Sequence, residues 1–175
     1  MSDLEDWTIK NSEPKENEDD LRVYNSEVSK ENVFVFMSSH SLLKNIDNQQ
    51  KVSPPYLIID SSYKLTKNNY PLVTIGTMSN DRKYHLVALV IVSSENEQVY
   101  TKIFQTLIDI AKLEMKIDYK PQYCVSDDSQ SIINSSLSVF GKNNRAFRHI
   151  LCQFHLKKTY NLNLPNFSKD KSLAS

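Results

Sequence analysis

The chain has 175 residues, 39% hydrophobic and 24% charged, with zero net charge, which suits one medium soluble domain with an ordinary core. Its only glycines are Gly76 and Gly141; that excludes the Gly-rich loops that cradle dinucleotides or triphosphates and the Gly-Xaa-Ser-Xaa-Gly hydrolase elbow, so no small-molecule cofactor motif is evident. Cys124 and Cys152 do not make a disulfide framework, no secretory start is seen, and the longest apolar run, Leu86 to Val92, is too short to cross a bilayer.

Charge is unevenly spread. The first twenty residues hold eight acidic side chains against two lysines, with Leu4, Trp7 and Ile9 as the larger apolar residues after the initiator. Residues 1–31 therefore read as an acidic, disordered lead. Residues 32–55 follow with a β-type run, Asn32 to Met37, a short helix over Ser38 to Lys44, and a polar linker bearing two prolines.

Strong periodicity begins at Tyr56. Tyr56 to Asp60 reads as a buried strand ending in a carboxylate, Tyr70 to Gly76 as a second strand with Pro71 near its start, and Tyr84 to Val92 as a third. The links are short and polar, so these strands are expected to form an antiparallel meander. Ser94 to Glu97 opens a helix with a Ser cap, and Val99, Ile103, Leu107, Ile110 and Ala111 share one face of it. Pro121 interrupts that pattern and Tyr123 to Val125 is a fourth strand. Ser129 to Phe140 reads as a helix with Ile132, Ile133, Leu137 and Phe140 on its apolar side, stopped by Gly141. Phe147 to Cys152 is a fifth short strand, and His155 to Tyr160 opens another helix. The order β-β-β-α-β-α-β implies an α/β fold, a mixed sheet with helices on its faces.

Asp60 and Asp127 fall at the ends of two apolar strands far apart in the sequence. Were those strands neighbours, the two carboxylates would lie about 5 Å apart and could share a divalent cation, the layout of a phosphoryl-transfer site. Asp60 also suits a plain turn, and Asp127 or Asp128 a helix N-cap; Asp128 is assigned the cap. Cys152-Gln-Phe-His155 can be half of a zinc site, with His149 as a third candidate ligand, but a second pair at the right spacing is missing, and a buried Cys with a hydrogen-bonded His is the favoured reading. From Gly141 onward seven Lys or Arg face one Asp, a balance that suits nucleic acid or a solvated surface; Lys157 and Lys158 are its candidate DNA contacts.

Four stretches in order resemble the MULE transposase domain of Mutator-like elements: Leu57 to Lys64, with Ser62 where the family has Thr; Tyr70 to Thr77 with Lys83 to Ala88 and Ser93 to Glu97; Val125 to Asp128; and Leu151 to His155. The resemblance runs from about Val33 to Leu164, with the domain itself placed at 56–164 and a basic polar tail at 165–175. It implies an RNase H-like fold, Asp60 and Asp127 as the first two members of an Asp-Asp-Glu triad binding Mg²⁺ or Mn²⁺, Cys152 and His155 as supporting residues, DNA as partner, and a nuclear location. The family's reaction is nicking and strand transfer at transposon ends. The family's Glu lies well downstream of the Cys-Xaa-Xaa-His motif. Here the one acidic residue after His155 is Asp170, so the resemblance implies an incomplete triad and a partial domain inactive by itself. A domesticated DNA- or protein-binding module is the alternative reading.

Overall fold

The computed structural model describes residues 2–51, 54–63, 66, 68–142 and 144–157. Seven strands, β1 (Arg22–Val28), β2 (Val33–Ser38), β3 (Tyr56–Ser62), β4 (Leu72–Met78), β5 (Tyr84–Val92), β6 (Tyr123–Ser126) and β7 (Arg148–Leu151), form one sheet in the order β1-β2-β5-β4-β3-β6-β7. The four pairings on the β1-to-β3 side are antiparallel; β3 with β6 and β6 with β7 are parallel. Parallel neighbours need a crossover, and the two crossovers carry helices α3 (Glu97–Glu114) and α4 (Gln130–Ser136). The expected meander is β3-β4-β5, and the expected mixed α/β sheet is present.

The main core lies between the sheet and the helices. Leu57 and Ile59 of β3, Val73 and Ile75 of β4, Val90 and Val92 of β5 and Cys124 of β6 point into it, the alternation that a strand imposes. Helix α2 (His40–Gln50) contributes Leu43 and Ile46, and α3 contributes Tyr100, Ile103, Phe104, Leu107, Ile110 and Ala111. Two helix starts are capped by side chains: Ser39 accepts from the Leu42 N–H and Asn96 from the Val99 N–H. The α3 cap is thus Asn96, two residues beyond the expected Ser94.

The acidic lead expected to be disordered carries α1 (Ser2–Lys10) and β1. The physical reason is β2, whose residues are all buried. Phe34 and Phe36 fill the main core, while Val33, Val35 and Met37 face the other side of the sheet and need a second cover. Val23 of β1 and Leu4 of α1 supply it.

The second crossover helix differs from its expected pattern. After α4 the chain continues as a π-helical stretch, Leu137–Gly141, so the buried face is Ile132, Ser135, Ser136 and Phe140, and Leu137 is turned outward. The two serines are satisfied locally: Ser135 Oγ donates to the Glu97 and Ser131 carbonyls and Ser136 Oγ to the Ile133 carbonyl. Phe140 packs against Phe104, Tyr119 and Phe147 with ring centroids 5.3, 6.3 and 5.7 Å away. After β7, residues 153–157 form a helical turn. It starts before the expected His155, and the rest of that predicted helix, with Lys158 and the 165–175 tail, lies outside the described residues. No helix among the described residues is long and apolar enough to cross a membrane.

Candidate metal and nucleic-acid site

Strands β3 and β6 pair in parallel with Ile58 opposite Val125. Carrying that register forward by two residues brings Asp60, still within β3, opposite Asp127, just past the end of β6. The two backbone positions therefore lie at the carboxyl end of adjacent parallel strands, where loops and helix starts leave room for a ligand. Asp60 has a half-exposed side chain, and its Oδ1 lies 3.7 Å from Nε2 of His155. Asp127 Oδ1 accepts from the Ser129 N–H at 3.2 Å.

That bond bears on the helix cap. The N-cap position of α4 is Ser129, whose side chain makes no cap bond, and Asp128 is exposed. The cap assigned to Asp128 therefore moves by one residue, and the carboxylate that ties down the turn is Asp127.

His149 and His155 serve different faces of the sheet. Cys124 pairs with His149 and Val125 with Ile150, so His149 lies on the helix-covered side. There its Nε2 is 2.9 Å from Ser126 Oγ. Burial holds the His149 imidazole below its ordinary pKa, against the opposing pull of the Asp127 and Asp128 charges. His155 lies on the other side, beside Asp60, and its Nδ1 is buried with no hydrogen-bond partner among the described residues. The zinc reading of Cys152, His155 and His149 is not assembled: among the described residues no group of three His, Cys, Asp or Glu side chains is placed to hold a metal ion. Cys152 ties the turn to the sheet instead, its N–H donating to the Ser126 carbonyl at 2.6 Å and its carbonyl accepting from the Leu156 N–H at 3.1 Å. Lys157 is exposed on that turn.

Glu95 is a member of this region that the sequence pattern presented only as an early acidic residue of a helix. One of its carboxylate oxygens accepts from the buried Tyr100 hydroxyl at 2.6 Å, and the other accepts from the Tyr63 hydroxyl. It thereby links the segment following Asp60 to the start of α3. Burial, then the Glu95 bond, then the Glu95 and Asp127 charges push the Tyr100 phenol far above its ordinary pKa, so this hydroxyl stays a donor. No spacing rule marks Glu95; its signal would have been the side-by-side placement of Tyr63 and Tyr100, which needs the fold.

On the open side of the sheet, next to Asp60, lies a cavity of about 480 Å³. Ile58, Leu86 and Val125 are among its apolar lining, and Cys152, Phe154 and His155 of the last turn close one side.

Among curated proteins, none matches the chain. Residues 56–159, more than half of the chain, match the family model of the MULE transposase domain. That span takes in Asp60, Asp127 and the Cys152–His155 turn, and the chain belongs to the MULE transposase domain family.

Proposed function

We propose that this chain holds transposon DNA through an RNase H-like sheet, with Asp60 and Asp127 as two ligands of a Mg²⁺ or Mn²⁺ ion. The observation that carries the reading is the parallel β3–β6 pairing, whose register, carried on by two residues, would set Asp60 beside Asp127. Family membership supports DNA as partner, a divalent ion as cofactor and the nucleus as location. The run β5-β4-β3-β6-β7, three antiparallel strands followed by two parallel ones, supports the RNase H-like fold.

The donor set fits such an ion. Mg²⁺ takes oxygen ligands, often one or two carboxylates completed by water and substrate phosphate. Asp60 is open to solvent, and Asp127 keeps one oxygen clear of its bond to the Ser129 N–H. When bound, the ion supplies charge stabilisation at a phosphate and activation of a nucleophile. The chain's own part is to hold two oxygens at the end of the sheet, to fix Asp127 through the α4 turn, and to anchor the β3 end through Tyr63 and Glu95.

Among the described residues no group of three His, Cys, Asp or Glu side chains is placed to hold an ion, so the 175 residues are expected to bind metal with DNA and not to cut it. Titration with Mn²⁺ in the presence of a DNA duplex tests this. Asp60→Asn and Asp127→Asn should each weaken Mn²⁺ binding by about tenfold or more, with no nicked product. Mn²⁺ binding indifferent to both substitutions refutes the assignment, and nicking abolished by Asp127→Asn refutes the inactivity. A second reading, a binding module without catalysis, draws on the His155–Asp60 contact. It requires DNA or protein binding that survives loss of both aspartates.

A further inference from the structure

The cavity beside Asp60 has a composition that metal binding does not call for. Its lining is chiefly aliphatic and aromatic, and it opens on the sheet face away from α3 and α4. A bulge between β4 and β5 creates it. Ile75 pairs with Ala88 but Gly76 with Leu86, leaving Val87 as an extra residue. Leu86 and Leu89, three apart and normally on opposite faces, therefore both line the cavity. Tyr84 lies over Gly76 at one side. Phe154, 71% exposed, stands at the other.

A flat group between aromatic walls is the occupant this shape suits. Asp60 is itself part of the wall, so a phosphate at the two aspartates would carry its own nucleoside to the cavity mouth. His155 stands on the same wall, its Nε2 3.7 Å from Asp60 Oδ1. We propose that the cavity takes one unstacked nucleobase of the DNA strand whose phosphate lies at Asp60 and Asp127. The inference rests on the DNA-binding reading above and adds to it a subsite and the residues that form it. Aromatic stacking captures bases with little regard to sequence, so the subsite fixes the position of the strand rather than its sequence.

The test uses the full chain, Ca²⁺, and single-stranded oligonucleotides carrying 2-aminopurine at successive positions. Fluorescence anisotropy reports binding and 2-aminopurine intensity reports the environment of each base. One labelled position should change intensity on binding. Phe154→Ala, at an exposed site, should abolish that change and weaken binding about tenfold. With an abasic residue at the responding position, wild type and Phe154→Ala should bind equally. DNA bound with no responding position, or a response unaltered by Phe154→Ala, overturns the subsite and leaves the DNA reading standing. Absence of any anisotropy change overturns both. A photoreactive phenylalanine at position 154 adds a check on the occupant. Coupling to the responding base supports the inference; coupling to residues 158–175 of the same chain within the DNA complex overturns it.

Discussion

Replacing Gly76 by Ala probes how Tyr84 is held over the sheet. A Cβ at position 76 would overlap Cε2 and Cζ of the Tyr84 ring and come within 2.6 Å of its hydroxyl. The backbone itself admits Ala, since no glycine here has positive φ. In a strand that change alone is worth about 0.5–1 kcal/mol of stability. Against it stands the displaced ring. Tyr84 is 48% exposed, so it can swing outward. Doing so uncovers on the order of 60 Å² of apolar surface, or about 1.5 kcal/mol. Gly76→Ala should therefore destabilise by roughly 0.5–1 kcal/mol in the wild type. In a Tyr84→Ala background it should stabilise by about the same amount, because nothing remains to displace. Urea unfolding of the four proteins in the double-mutant cycle measures this. Equal destabilisation in both backgrounds would refute the account of Tyr84, and with it this wall of the cavity.

Two further outcomes follow from burial at the site. His149 has a depressed folded-state pKa, so it binds fewer protons than in the unfolded chain as pH falls. Its contribution to stability is present above the unfolded value near ~6.5 and is lost below it. Urea midpoints should fall between about pH 7.5 and about pH 5.5, and less steeply in His149→Gln; an equal slope in both proteins would remove His149 as the cause. Burial pushes the Cys124 thiol up to about 12, whereas Cys152 is partly exposed. A thiol reagent should modify Cys152 in the native protein and Cys124 only on unfolding, with mass spectrometry of the peptides as the readout.

The parts of the fold legible in the sequence are those whose apolar pattern is set by a single sheet. Strands β3, β4 and β5 alternate or run apolar because each packs on the main core, and their turns are short. Strand β1 was not legible: in Arg22–Val28 a single residue, Val23, is fully buried, and its pairing depends on the already buried β2. The same holds for α1, whose helical face matters only because β2 needs covering on its second side. In α4 the π-helical stretch shifted the buried face from Leu137 to Ser135 and Ser136, a rotation that periodicity at 3.6 residues cannot anticipate. Asp60 and Asp127 stood out as carboxylates ending apolar runs, and the strands that carry them, β3 and β6, are neighbours in the sheet. The cavity was hidden because the bulge at Val87 breaks the two-residue alternation by which faces are assigned.

The parallel pairing of β3 with β6 also sets when the site forms and how firmly it is held. Its two aspartates are separated in the chain by β4, β5, α3 and β6, so neither hairpin formation nor local helix growth brings their strands together; the crossover must close first, a slow step for non-local strands. Asp127 then depends on the four-residue strands β6 and β7, the latter at the sheet edge with no fully buried residue. Asp60 is flanked on its other side by the long, well-buried β4–β5 pair. The two halves of the site thus differ in local stability, and amide exchange should open the β6–β7 side well before β3. A strand of DNA bridging both aspartates would act there as a brace, lending the softer edge the rigidity of the meander.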